Sequence, residues 1–137
     1  MVAYMDTALM DSPLTLTPLE TLQHRATGEM LFLESESPAG VYVLHSGEVD
    51  LLFGSRHGEV KALRVATPVQ ILGLAAVVMG RTHDCSATVR TRCEVGFIER
   101  EEFLRTLESN PSFRFHVLRQ LSSDVNSIYD DIRALAG

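Results

Sequence analysis

The sequence predicts a mostly β chain with flanking helices: a β-roll or sandwich followed by a long C-terminal helix. Three observations carry that prediction. Between residues 22 and 99, short β-rich runs recur at regular spacing, separated by glycine-bearing turns, as in small all-β rolls. At Glu99 the texture turns to helix-forming residues, and glycine vanishes until Gly137. From Leu118 to Leu135, apolar residues recur at alternating spacings of three and four, which marks one stripe of a helix.

The 137 residues fit a single domain, long enough to bury a core. Residues 1–21 are expected to form an N-terminal helical segment of two weak pieces, broken at Pro13 and Pro18. Residues 22–99 are expected to form the roll. Met30–Leu33 is a short apolar run, and Gly40–Leu44 is a β-rich run expected to stop in a turn at His45-Ser46-Gly47. Glu48–Phe53 follows, with Val49, Leu51 and Phe53 alternating against Glu48, Asp50 and Leu52. Gly54-Ser55-Arg56-His57-Gly58 reads as a hairpin tip. Its return strand, Val60–Val65, sets Val60, Ala62 and Arg64 on one face and Lys61, Leu63 and Val65 on the other. A further hairpin is expected from Ser86–Thr91 and Cys93–Glu99, turning near Arg92.

Residues 100–137 are expected to hold a short helix and a long one. Arg100–Leu107 places Phe103, Leu104 and Leu107 on one side. Asn110-Pro111 then restarts a helix, Asn110 as N-cap and proline at the first helical position. The long helix carries Leu118, Leu121, Val125, Ile128, Ile132 and Leu135. Such a seam serves either a parallel homodimer or packing on the roll. The length favours the dimer, because roughly 25 residues at 1.5 Å each span about 37 Å, more than a small roll covers.

The composition narrows the classes. The formal charge is −6, with scattered basic residues, which argues against nucleic-acid binding by this chain alone. No apolar run reaches the ~20 residues of a membrane span, and Met1–Met10 lacks the pattern of a secretory signal. A cytoplasmic location with no membrane partner is therefore expected. Cys85 and Cys93 match no metal spacing and no redox pair, and both are expected to be reduced. None of the five histidines (His24, His45, His57, His83, His116) forms a H-x-H or H-x-x-x-H pair, so no dedicated metal site is predicted. A cupin-type metalloenzyme would need the His-x-His. Neither a nucleophile elbow nor a P-loop is present, and the chain is expected not to be an enzyme.

The most distinctive stretch is Ile71–Val89. It has the layout of a phosphate-binding cassette: a short apolar strand, Gly73, one small-residue helical turn through Leu74–Val78, a polar loop through Gly80–Asp84, and a strand opening Ser86-Ala87-Thr88-Val89. Other marks stand in order around it. They are Gly28-Glu29-Met30-Leu31-Phe32, then Val41-Tyr42-Val43-Leu44 with Ser46-Gly47-Glu48-Val49, then Cys93-Glu94-Val95, Arg100-Glu101-Glu102-Phe103 and Asn110-Pro111. Together, over Thr27–Leu135, they resemble the cyclic-nucleotide-binding domain of the cyclic AMP receptor protein and fumarate-nitrate regulator (Crp/Fnr) superfamily.

That resemblance implies a double-stranded β-helix, a jelly-roll-like β-roll, followed by a long C-terminal dimerisation helix. It implies a ligand-sensing regulatory domain of a transcription regulator, or a stand-alone sensor. DNA would be reached only through a helix-turn-helix absent from this chain. It places the ligand pocket at Gly73, Leu74, Ala75, Arg81, His83, Cys85, Ser86 and Ala87. In the family a Glu after the cassette glycine holds the ribose hydroxyl, and an Arg before the strand pairs with the cyclic phosphate. Here those positions read Leu74 and Cys85. A base-contacting Thr-Ser pair falls on Ile128 and Tyr129. Cyclic AMP binding in the usual way is therefore not expected, unless Arg81 or His83, otherwise solvated loop residues, swings in. Two alternatives stay open: a dimeric interaction module with an empty pocket, and a sensor of haem, through His83 and Cys85, or of another small molecule. An iron–sulfur cluster is disfavoured without N-terminal cysteines.

Overall fold

The computed structural model describes residues 19–54 and 62–136, with side chains in the last helix described through Ser123. The helical segment expected before Leu19 and the hairpin tip beyond Gly54 lie outside the described residues. In chain order the elements are β1 (Thr21–Arg25), β2 (Met30–Phe32), β3 (Gly40–Phe53), β4 (Ala62–Ala66), β5 (Ile71–Leu72), α1 (Leu74–Met79), β6 (Ser86–Glu99), α2 (Arg100–Ser109) and α3 (Pro111–Ala136). The six strands form one sheet in the order β1-β6-β3-β4, with β2 also on β6 and β5 also on β3. Every pairing is antiparallel.

Two expected turns are absent. β3 runs unbroken through His45-Ser46-Gly47, and β6 runs unbroken through Arg92. The two 14-residue strands pair along their length, and register shifts fall between Leu44 and Val49. Gly47 makes this bulged corner work. It sits at φ 89°, and a Cβ there would lie 2.3 Å from the carbonyl oxygen of Arg92. A glycine that reads as a turn thus serves as a bulge that lets two long strands bend together. The long strands explain why six short-looking runs close into a roll.

Alternation along β3 feeds two cores. Leu44 and Val49 face the roll interior, with Leu31, Phe32, Val89 and Val95. Val41 and Val43 face the other way, onto Ile98, Phe103, Phe113 and Val117 under the helices. Phe103 of α2 and Phe113 of α3 meet edge to face, ring centroids 5.4 Å apart, and both are fully buried. Leu104, expected on the same side, is 37% exposed; the apolar face of α2 is narrower than the spacing implies. Asn110 caps α3, its Oδ1 accepting from the Phe113 N–H at 3.0 Å. Among the described residues, no helix is long and apolar enough to cross a membrane.

Candidate functional site

β5, α1 and the loop after it form a small unit braced from two sides. Gly73 adopts φ 83° at the N-terminus of α1, and Gly80 closes the helix at φ 67°, both in the left-handed region that favours glycine. The loop then docks on the segment after β2. His83 N–H donates to Glu36 O at 2.9 Å, and Ser35 N–H donates to His83 O at 2.8 Å. From above, Gln120 of α3 grips β5. Its Oε1 accepts from the Ile71 N–H at 3.0 Å, and its Nε2 donates to Ile71 O at 2.8 Å. A single side chain thus pairs both backbone groups of a residue that is itself 2% exposed.

A cavity of about 270 Å³ lies between this unit, the inner faces of β3 and β4, and α3. Of the predicted site residues, Gly73, Leu74, Ala75, Arg81, His83 and Cys85 line it. Ser86 and Ala87 do not. Ala87 is fully buried in the roll core, and the Ser86 hydroxyl accepts from the Glu34 N–H at 2.9 Å. In an extended strand, successive side chains point to opposite faces, so Cys85 and Ser86 cannot both face the cavity.

The cassette wall is apolar. Leu74 is 2% exposed, and burial pushes the Cys85 thiol up to about 12, helped by Asp84. His83 is not a solvated loop residue. It is 5% exposed and stacks on Phe32, ring centroids 3.9 Å apart and planes 11° from parallel. Its ring also closes the space beside Gly73, where a Cβ would come within 3.0 Å of His83 Cε1. Burial lowers its pKa, against the pull of Glu36 and Asp84, so the ring is neutral near pH 7. Arg81 is exposed at the cavity and makes no ion pair with a described residue.

Several lining residues are not among those the sequence points to, Arg64 and Gln120 among them. Arg64 lies on the inward face of β4, while Leu63 and Val65 are 54% and 41% exposed. The signal was present, since Arg64 falls in phase with Ala62 on one face of an alternating strand. Gln120 lies inside an apolar seam and reads there as a solvent-facing break. The seam also divides. Leu121 packs on the helix-side core, whereas Leu118 and Phe115 are 57% and 63% exposed. The side chains of Val125, Ile128, Tyr129, Ile132 and Leu135 lie outside the described residues.

A thiolate ligand must be deprotonated, and burial raises the Cys85 thiol to about 12. Among the described residues, no group of three His, Cys, Asp or Glu side chains could hold a metal ion.

Residues 22–110 match the family model of the cyclic nucleotide-binding domain. The potassium channel AKT1 of rice, in both the indica and japonica subspecies, is 29% identical over 82 residues, which is 60% of this chain and 9% of the channel. The chain therefore spans less than a tenth of those curated relatives. Among solved structures, the Thermus thermophilus catabolite activator protein superposes with a TM-score of 0.77 at 17% identity, covering 93% of this chain and 58% of that one. A transcriptional regulator from Thermotoga maritima gives 0.76 at 17% identity, covering 94% and 98%. The sensor domain of the regulator DNR from Pseudomonas aeruginosa gives 0.67 at 22% identity, covering 86% and 83%. At these identities the likeness is one of fold.

Proposed function

The chain belongs to the cyclic nucleotide-binding domain family, and we propose that it is the ligand-sensing domain of a Crp/Fnr-type transcription regulator whose pocket no longer takes cyclic AMP in the usual way. The observation that carries this reading is the cavity itself, set between the cassette and α3 and spanned by the Gln120–Ile71 pair of hydrogen bonds. A ligand there touches both the unit that holds it and the helix that reports it. Occupancy biases the position of β5, and Gln120 transmits that bias to α3 as a shift between two populations.

The departure from cyclic nucleotides is supported by Leu74 and Cys85. With a buried alkyl group and a protonated thiol at those places, a cyclic phosphate set against them finds no cation, and an uncompensated buried charge costs several kcal/mol. Dimerisation is supported by the exposed Phe115 and Leu118, which share one face of α3 at i, i+3 spacing. DNA contact belongs to a helix-turn-helix outside these residues, because a chain of charge −6 offers phosphates little attraction.

A melting scan with millimolar cyclic AMP and, separately, cyclic GMP tests the ligand half of the reading. The expected result is no displacement of the midpoint. A ligand at 100 times its Kd would add roughly 2.7 kcal/mol, several degrees for a domain of this size, and such a rise would overturn it. Sedimentation tests the other half: a species of twice the chain mass is expected, and Leu118→Glu is expected to dissociate it. A protein that sediments as a monomer at tens of micromolar would sink the dimer.

A further inference from the structure

We propose that the cavity binds a neutral, largely apolar small molecule, about the size of one ring with a short chain, whose single hydroxyl pairs with the imidazole of His83. The inference rests on reading the cavity as the sensing site, and it deepens that reading by naming the class of ligand.

The hydroxyl follows from His83. Among the described residues, two polar ones are buried, His83 and Ser86. Ser86 lies off the cavity, its hydroxyl accepting from the Glu34 N–H. His83 lines the cavity at 5% exposure. Its backbone N–H and carbonyl are engaged, by Glu36 O and the Ser35 N–H, yet neither ring nitrogen hydrogen-bonds to a described residue. One face of the ring lies against Phe32. Its Cε1–Nδ1 edge turns to Gly73, also on the lining, where a Cβ would come within 3.0 Å of Cε1 and 3.7 Å of Nδ1. Buried polar groups ordinarily have partners. A neutral imidazole presents one donor and one acceptor, and a hydroxyl, itself donor and acceptor, meets either. Gln120 does not compete, because both ends of its carboxamide are held by Ile71.

Neutrality follows from the rest of the lining. Phe32, Ala66, Ile71, Leu72, Leu74 and Cys85 are buried, and none brings a charge. An ion among them meets no compensating group, whereas a hydrocarbon body gains by leaving water. The charges stand apart from this surface. Arg81 and Asp84 are exposed and of opposite sign, so together they favour neither an anion nor a cation. Arg64 interacts with its own surroundings and takes no part in holding the ligand. Size agrees: about 270 Å³ is roughly nine waters' worth of liquid at ~30 Å³ each, room for a single ring and a short chain.

Titration calorimetry on the full chain tests this with four probes that share a phenyl ring and differ at the end of the chain: 2-phenylethanol, propylbenzene, phenylacetate and 2-phenylethylamine. The alcohol is expected to bind about tenfold more tightly than either ion, the carboxylate or the protonated amine. His83→Phe keeps an aromatic ring for Phe32 and removes both nitrogens. In that variant the preference for 2-phenylethanol over propylbenzene is expected to fall several-fold, as the loss of one net hydrogen bond implies, while propylbenzene keeps its affinity. Such a change in a ratio reports a coupling between two groups, and a general loosening of the fold, which weakens both probes, does not produce it. The comparison of neutral with charged probes needs no variant. An ion that binds as tightly as 2-phenylethanol, an unchanged ratio in His83→Phe, or no binding of 2-phenylethanol overturns the inference. A failure of the sensing reading shows separately, as bound 2-phenylethanol that keeps the expected order of probes yet leaves hydrogen exchange in α3 unchanged.

Discussion

Across the cavity the cassette presents Leu74 and Cys85, both buried, whereas β4 presents Arg64 and leaves Leu63 and Val65 largely in solvent. The cassette wall obeys the ordinary rule, apolar side chains in. On β4 the inward face carries buried Ala66 and also Arg64, so one guanidinium stands on an otherwise apolar wall while Leu63 and Val65 are left partly in solvent. Strand register makes such an arrangement all or nothing, because a slip of one residue flips every side chain. The pairing of Leu51 with Arg64 and of Phe53 with Ala62 fixes the arginine on the inner face. The contrast therefore sets an apolar, buried cassette wall against a β4 wall that carries a half-buried guanidinium.

The sharpest way to break this comparison is to place the same kind of change on both walls. Leu74→Glu buries a carboxylate where no cation stands, and about 3 kcal/mol or more of stability is expected to go, near 10 °C in the melting midpoint. Arg64→Leu is expected to change stability by no more than about 1 kcal/mol. Equal losses in the two variants would refute the contrast between the walls.

Between the walls stands Gln120. Gln120→Ala leaves the N–H and C=O of buried Ile71 without their partners, and a loss of about 1–3 kcal/mol is expected. Faster exchange of the Ile71 amide is expected with it. Gln120→Glu keeps the acceptor for the Ile71 N–H and loses the donor to Ile71 O, so it should fall between wild type and alanine. An unchanged Ile71 amide in Gln120→Ala would separate α3 from the cassette and remove the proposed route of the signal.

His83 sharpens the picture of the cassette wall through pH. Its folded pKa lies below the ordinary 6.5, because burial disfavours the charged ring. The unfolded chain therefore binds more protons just below pH 6.5, and stability there rises with pH. The contribution is complete above 6.5 and is lost as pH falls through the folded value, with a slope of at most about 1.4 kcal/mol per pH unit. His83→Gln is expected to flatten that part of the stability profile. A profile unchanged by the substitution would mean that the ring is not held neutral.

Much of this was legible in the sequence. The cassette's boundaries follow from Gly73 and Gly80, because the backbone takes a left-handed conformation at both and few other residues accept it. The start of α3 follows from Asn110-Pro111. What the residues misreported was local signal overridden by long-range pairing. His45-Ser46-Gly47 and Arg92 look like turns, and both lie inside strands because β3 and β6 bend as a pair. Ser86 looks like a pocket residue, yet alternation turns it away once Cys85 faces in. His83 looks like a solvated loop histidine, and only the Phe32 ring, contributed from β2, shows otherwise. Such contacts join distant parts of the chain, and no nearby residue announces them.

The smallest expected effect concerns the thiols, and it compares the cavity with the corner of the roll. Cys85 faces the cavity, and its thiol is pushed up to about 12, against an ordinary 9.0. That lowers its thiolate fraction at pH 8 by about a thousandfold, and the thiolate is the reactive form. Cys93 lies beneath the bulged corner, its S–H shared between Thr91 O at 3.0 Å and Glu48 O at 3.3 Å, and burial raises its pKa as well. Neither thiol is expected to react with iodoacetamide in the folded protein at pH 8 within an hour, and both should react once it is unfolded. Selective labelling of Cys85 alone would show water and reagent reaching the cassette wall, and the picture of that wall as closed and apolar would be lost.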